Sequence, residues 1–151
     1  MRPLGWTSGD AAGLPILPGL VRYDEVASGT VDHAIRITLR RTDRRYVWPA
    51  RPQAGSNDAT AAPMGAWLRL KPGVDLSRLG PQARVVARAL QVHGAIVADN
   101  GSSWYISGAP DPRWDNDDLH GLGALKGSDF EFVDPSSMMT SPNSGKVAPT
   151  P

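Results

Sequence analysis

H-A-I-R-I-T-L-R, residues 33–40, is the stretch that decides the fold of this chain. Its side chains alternate between one face with a histidine and three aliphatic residues and another with alanine, threonine and two arginines: His33, Ile35, Ile37 and Leu39, against Ala34, Arg36, Thr38 and Arg40. A period of two is typical of a β-strand with one buried face. We therefore predict a strand here, with His33 pointing inward.

The segment after this strand predicts a hairpin. Four arginines surround Asp43 at an expected turn, and Tyr46–Trp48 is expected to return as the partner strand, ended by Pro49. Residues 51–65 follow as a loop longer than usual, which indicates a functional or mobile segment. Ala66–Leu70 is predicted as the next strand, with its two leucines inward and Trp67 and Arg69 outward.

A second hairpin is predicted later in the chain. Ala95–Ala98 and Trp104–Ser107 read as strands, and the turn between them, D-N-G-S at residues 99–102, contains the Asn-Gly pair that favours tight hairpins. Asp129–Val133 is predicted as the last strand.

Helical signals are fewer. Proline at the first turn and Gly94 beyond the end predict a helix over Pro81–His93. Its apolar stripe consists of Val85, Val86, Ala89, Leu90 and His93. Arg22–Ser28 is expected to form one or two helical turns ended by Gly29, and Asp115 is expected to cap a short helix that runs to Leu122.

Composition limits the class of protein. The chain has 151 residues, 16 basic and 15 acidic side chains, a net charge of +1 and no cysteine. The charge is too balanced to imply nucleic acid or an anionic membrane as the main partner, so we expect neither, and no apolar run is long enough to span a membrane. We expect an extended lead-in at 1–19, a β-rich domain at 20–134 and a disordered tail at 135–151. The expected fold is mainly β with one packed helix, a β-sandwich or jelly-roll-like half, whole or incomplete.

The function hypothesis rests on the stretch A-D-N-G-S-S-W-Y-I-S-G-A-P-D-P-R-W-D-N-D-D, residues 98–118. It sets aromatic rings among short polar side chains, and a sugar offers an apolar face and a rim of hydroxyls to such a surface. We expect a polysaccharide or cell-wall glycan to be bound by rings and by polar side chains: Trp48, Trp67, Trp104, Tyr105 and Trp114, with Asp99, Asn100 and Asp111.

Two other classes stay open. A glycoside hydrolase would use His33 and Asp99 for proton transfer, since such enzymes need paired acid and base groups. A structural fragment without a ligand would bury the same rings in its core. His33 also fits a core histidine and His93 a helix cap.

No metal or cofactor is expected. The three histidines lack zinc-ligand spacing, and Asp115–Asp118 starts like a calcium loop but lacks the later ligands of one. Helix capping explains those acids without a metal.

Several motifs also carry a resemblance. They are L-P-I-L-P-G-L-V-R-Y-D-E-V-A-S-G-T-V-D-H-A-I-R-I-T (14–38), Y-V-W-P-A-R (46–51), P-M-G-A-W-L-R-L-K (63–71) and A-D-N-G-S-S-W-Y-I-S-G-A-P-D-P-R-W-D (98–115). In order and spacing they resemble the C-terminal half of an uncharacterised family of secreted, β-rich bacterial proteins. The resemblance covers roughly Pro3 to Asp134 and implies a β-rich fold and an extracellular location.

The chain departs from that family in two ways. Pro52 stands where family members commonly carry a histidine, and the family's N-terminal half and signal peptide are not in this sequence. If this is the full gene product, we expect it to stay in the cytoplasm. A sheet without its neighbouring strands would leave open edges, and self-association through them is a further expectation.

Overall fold

The structure, a computed structural model, describes residues 9–144 and 146–149. The described strands are β1 (Ile35–Leu39), β2 (Asp43–Tyr46), β3 (Pro63–Met64), β4 (Trp67–Leu70), β5 (Ala95–Asn100), β6 (Tyr105–Ile106) and β7 (Phe130–Val133). The described α-helices are α1 (Tyr23–Ser28), α2 (Pro81–Val92) and α3 (Asn116–His120), and short 3₁₀ turns lie at Leu17–Gly19, Gly121–Ala124, Gly127–Asp129 and Ser136–Met138. The chain is thus a β-rich mixture of strands and helices.

Five strands form the main sheet in the order β6-β1-β5-β4-β7, and β2 and β3 form a small parallel pair. Within the main sheet β1 and β5 run parallel, whereas the other neighbours are antiparallel. The strand predicted from residues 33–40 therefore lies inside the sheet, with a partner on each edge.

Both predicted hairpins are wrong. Strand β1 does not pair with the segment after it, because β5 and β6 occupy its two edges. Tyr46–Trp48 is not the returning strand either, since β2 spans Asp43–Tyr46 and pairs with β3. In the second predicted hairpin, the chain after β5 crosses the end of β1. There the Gly101 N–H donates a hydrogen bond to the Leu39 carbonyl at 3.1 Å. Strand β1 thus lies between β5 and β6, a non-local pairing that local turn chemistry does not encode.

The predicted loop at residues 51–65 contains strand β3, whereas the other predicted strands and helices are confirmed. Strands β4 and β7 and helices α1, α2 and α3 all lie within the expected segments. Gly29 ends α1 in the left-handed conformation, with φ of 86°. Asp115 caps α3 by accepting a hydrogen bond from the Asp118 backbone N–H at 3.0 Å.

Helix α2 starts against a carboxylate from α3. The Asp118 oxygens accept from the backbone N–H groups of Gln82 at 2.8 Å and Ala83 at 3.2 Å. These N–H groups have no acceptor within the helix, so a negative group is favoured there. A Cβ at Gly80 would come within 2.4 Å of the same carboxylate, so glycine is needed for the approach. Helix capping thus accounts for Asp115 and Asp118.

The two faces of the main sheet differ. Ile35, Ile37 and Val97 point toward the core and are at most 2% exposed, and the apolar side of α2 belongs to the same core cluster. The opposite face of β1 carries Arg36 and Thr38, both partly buried. The alternation in residues 33–40 is thereby confirmed as one buried and one polar face.

The segments before β1 and after β7 also make defined contacts. Ala12 is fully buried, and its N–H bonds to the Ala98 carbonyl at 2.8 Å. The first eight residues of the expected lead-in lie outside the described residues. In the expected tail, Met139 forms a bridge with Val147.

No helix in the described ranges is both long enough and apolar enough to cross a membrane.

Candidate functional site

A row of three side chains crosses the polar face of the sheet. Thr38 of β1 is opposite Tyr105 of β6 and opposite Asp99 of β5. Residues opposite each other in paired strands project from the same face, so we call Tyr105, Thr38 and Asp99 the polar row. The Tyr105 side chain is 63% exposed, and the Asp99 side chain is 35% exposed. The row therefore presents an aromatic ring and a carboxylate to solvent.

Arg36 lies beside this row, one strand repeat from Thr38. Its Nη2 is 3.9 Å from Asp99 Oδ2 and 3.5 Å from Asp10 Oδ2. Its Nη1 donates to Ser107 Oγ at 3.2 Å. The guanidinium side chain is only 12% exposed. We call these four residues, Arg36, Asp10, Asp99 and Ser107, the Arg36 cluster.

Asp10 is the buried member of the Arg36 cluster. Its side chain is 1% exposed, and its Oδ1 accepts from the Leu14 backbone N–H at 2.9 Å. Burial raises the pKa of Asp10 above its ordinary value, and the neighbouring Asp99 charge acts in the same direction. The Leu14 hydrogen bond and the Arg36 charge lower this pKa only in part. Among the described residues, Asp10 Oδ2 and Arg36 Nε are buried without a hydrogen-bond partner.

His33 and Asp99, the expected proton-transfer pair, are not brought together. His33 precedes β1, whose first residue, Ile35, donates its N–H to the Gly94 carbonyl. Asp99 lies at the far end of the neighbouring strand β5. His33 Nδ1–H donates to the Ala34 carbonyl at 2.9 Å, and Nε2 is 3.4 Å from the Glu25 carboxylate. His33 therefore joins the start of β1 to α1 and has no ring nitrogen left for a substrate.

Glu25 holds a fixed negative charge beside this histidine. Burial acts to raise the pKa of Glu25, but hydrogen bonds from the Arg22 backbone and from His33 outweigh it, so the pKa is lowered. Arg22 also contacts the same carboxylate with its side chain. A carboxylate held ionised in this way is a structural partner for His33.

The five expected aromatic ligands divide between two cavities. Trp104, Tyr105 and Trp114 line a cavity of about 670 Å³, which we call the aromatic cleft. Trp48 and Trp67 line a separate cavity of about 630 Å³. Trp48 donates its indole N–H to the Ser144 carbonyl at 3.0 Å, and Trp67 donates to the His93 carbonyl at 2.8 Å. These rings do not form one continuous surface.

Asn100 and Asp111 are engaged elsewhere. The Asn100 amide donates to Thr42 Oγ1 at 3.0 Å and so fixes the loop after β1. Asp111 bonds to the Arg113 side chain, which holds the pKa of that carboxyl at about 2. Arg113 in turn lies 4.1 Å from the centre of the Tyr23 ring. Neither side chain reaches the polar row or the aromatic cleft.

Sequence reasoning missed most of the Arg36 cluster. Arg36 was assigned to the outer face of its strand, which is correct, but its buried carboxylate partner lies in the lead-in, 26 positions earlier. The only sequence signal was an arginine on a short, half-buried strand. Such a charge needs a partner, although its identity is not readable from spacing.

No three-membered group of His, Asp or Glu side chains is arranged for a metal ion within 9–144 and 146–149. No protein-family model matches the chain, and neither a curated protein nor a solved structure matches it.

Proposed function

We propose that this protein binds a glycan on the polar face of its main sheet. The observation that carries the proposal is the polar row, in which an exposed tyrosine ring and a partly exposed carboxylate flank Thr38 on three adjacent strands. The Tyr105 ring supplies an apolar surface for the face of a sugar. Asp99 at the other end of the row supplies a hydrogen-bond acceptor for its hydroxyls.

The Arg36 cluster adds the complementary donor. A sugar hydroxyl both donates and accepts hydrogen bonds, so it fits between a carboxylate and a guanidinium. Arg36 Nη2 lies 3.9 Å from Asp99 Oδ2, which puts the two groups side by side. Asp10 and Ser107 hold the guanidinium from behind. A positioned pair of this kind loses little side-chain freedom when a ligand binds.

Binding is favoured over glycoside hydrolysis. Asp10 and Asp99 share one guanidinium nitrogen and therefore form a carboxyl pair. However, Asp10 Oδ2 is buried, so it cannot contact a glycosidic oxygen, and both ring nitrogens of His33 are occupied. A general acid must come within hydrogen-bond distance of the group that it protonates.

The same proposal includes an extracellular or envelope location, which the sequence resemblance implies, and a glycan as the main partner. Self-association through open sheet edges and the finer sandwich or jelly-roll-like architecture stay predictions. Sedimentation of the purified protein over a range of concentrations would test the first of these.

The test is glycan retention by purified protein. Wild type, Tyr105→Ala and Asp99→Asn would be run against immobilised cellulose, chitin, xylan and peptidoglycan, with Tyr46→Ala as the matched control because Tyr46 is also exposed but lies on β2. We expect wild type and Tyr46→Ala to be retained on at least one glycan. Loss of the ring or of the carboxylate charge should weaken binding about tenfold, equivalent to about 1.4 kcal/mol.

Two results would contradict the proposal. One is the absence of retention of the wild type on every glycan. The other is equal retention of Tyr105→Ala and Tyr46→Ala.

A further inference from the structure

The aromatic cleft lies on the core side of the main sheet, and no residue of the Arg36 cluster lines it. Its floor includes Ile37 of β1 and Val86 and Leu90 of α2, each 2% exposed. Trp104 and Trp114 form part of its walls. The cleft therefore enters the hydrophobic core between the sheet and its packed helix.

The indoles of the walls are held in place. Trp104 packs on Phe130 with ring centres 4.6 Å apart. Trp114 meets Tyr23 edge-on at 5.3 Å and donates its indole N–H to the Ala109 carbonyl at 2.8 Å. Rings fixed in this way give a preformed cavity, which costs little to organise when a ligand enters.

Three polar side chains of the cleft have no partner in the part of the chain that the structure describes. Ser103, Asn116 and His120 line the cleft, and all three are exposed residues. Within residues 9–144 and 146–149, none of their side chains takes part in a hydrogen bond or an ion pair. Each can therefore bond to a ligand without breaking an existing contact.

The volume and the lining together define the class of ligand. Protein cores contain few voids larger than a water molecule, whereas ligand cavities occupy about 300–1,000 Å³ and combine apolar walls with a few polar groups. The cleft has about 670 Å³. The aliphatic floor cannot bond to the hydroxyls of a sugar, so a buried sugar would lose its hydrogen bonds with water.

We propose that the aromatic cleft is a binding site for a small amphiphile, a molecule with an apolar body and one oxygen-containing head group. The body lies against Ile37, Val86 and Leu90, and the head group bonds to Ser103, Asn116 or His120. This site shares Tyr105 with the polar row, but its apolar floor and its polar side chains, Ser103, Asn116 and His120, do not belong to the glycan surface proposed above.

The test uses decanoic acid and decanol, which share an apolar chain and differ in the head group. Binding would be measured by calorimetry and by the fluorescence of the tryptophans, two of which line the cleft. Gly123 lines the cleft, and a Cβ added there meets no atom within 4 Å, so Gly123→Leu adds apolar volume at the cleft with no clash at the Cβ. Gly73→Leu is the matched control, because its Cβ also meets nothing and the residue lies outside the cleft.

We expect wild type and Gly73→Leu to bind at least one probe below its micelle concentration, and Gly123→Leu to bind about tenfold more weakly. Asn116→Ala and His120→Ala should change the preference between the acid and the alcohol. Absence of binding by the wild type, or equal binding by the two leucine variants, would overturn the site.

Failure of this site and failure of glycan binding are distinguishable. Gly123 is not part of the polar row, so Gly123→Leu should keep the glycan retention of the wild type. Loss of glycan retention in Gly123→Leu would show that the cleft and the polar row bind one and the same ligand, and it would also overturn the inference.

Discussion

The two faces of the main sheet are built by the same strands but differ in burial and polarity. On one face, Ile35, Ile37 and Val97 are at most 2% exposed and pack in the core with α2. On the other face, Arg36 and Asp99 meet near an exposed tyrosine. Because successive side chains of a strand point in opposite directions, the core face and the face of the proposed glycan surface are separated by a single residue. Substitutions on the two faces should therefore have different consequences.

The largest loss in the free energy of unfolding is expected for a substitution on the core face of the sheet. Leu70 of β4 is fully buried, so Leu70→Ala should lower the free energy of unfolding by about 2–5 kcal/mol through lost burial and the cavity left behind. Urea denaturation followed by tryptophan fluorescence would measure it. Phe132→Ala on the neighbouring strand is the control, since that side chain is 69% exposed. Equal losses in the two variants would show that the core lies elsewhere.

On the polar side of the sheet, a large loss in the free energy of unfolding is expected only for substitution of Asp10. Asp10→Ala leaves the Arg36 guanidinium, 12% exposed, without its buried counter-charge. We expect a loss of about 3 kcal/mol in the free energy of unfolding. Asp10→Asn should lose less, because the amide oxygen can still accept from Leu14 N–H. Asp24→Ala is the control, with a carboxylate that also contacts an arginine but is 83% exposed. A stability loss in Asp24→Ala that matches that of Asp10→Ala would contradict the assignment.

A smaller loss in the free energy of unfolding is expected for a substitution at the start of α2. Asp118→Ala removes the acceptor for two backbone N–H groups at the start of α2, so the free energy of unfolding should fall by about 1 kcal/mol. Thermal unfolding followed by circular dichroism would detect it. Asp117→Ala changes an exposed acid of the same short helix and should leave the melting temperature almost unchanged. The reverse order of the two variants would rule out the cap.

The smallest effects concern the pH dependence of two carboxyls. Burial raises the pKa of Asp10 above its ordinary 3.8, so its contribution to stability grows as the pH falls through the raised pKa toward 3.8. Asp111 behaves in the opposite way. Its pKa of about 2 makes it stabilising above pH 3.8, and that contribution is lost as the pH falls from 3.8 toward 2. Carboxyl NMR titration would measure both values. Titration of Asp10 below Asp111 would contradict the burial that the structure gives to Asp10.

The sequence predicted individual strands and helices better than it predicted which strands pair with each other. The alternation at residues 33–40 and the helix at Pro81–His93 were recognisable because their periodicity is a local property. The hairpins were wrong because β1 pairs with β5, about sixty residues later. An Asn-Gly pair favours a tight turn, but it does not decide which strand fills the space beside it.

The candidate site residues show the same difference: the sequence named some of them, but the tertiary structure decided which of them lie together. Tyr105 and Asp99 were named from composition, and both lie on the polar row. Trp48 and Trp67 were grouped with them but line another cavity. Asp10 gave no signal, because a single aspartate in a glycine- and proline-rich segment resembles an ordinary turn residue.

The sequence by itself determined which faces of β1 and β4 are apolar, the position of α2 to within one residue, and that the charge is balanced. These properties follow from the spacing of neighbouring residues. Only the tertiary structure decided that β1 lies between β5 and β6, that Asp10 is buried against Arg36 and that the tryptophans divide between two cavities. The physical reason is that contacts between distant residues depend on how all the apolar surfaces are buried together, and no local pattern encodes that arrangement.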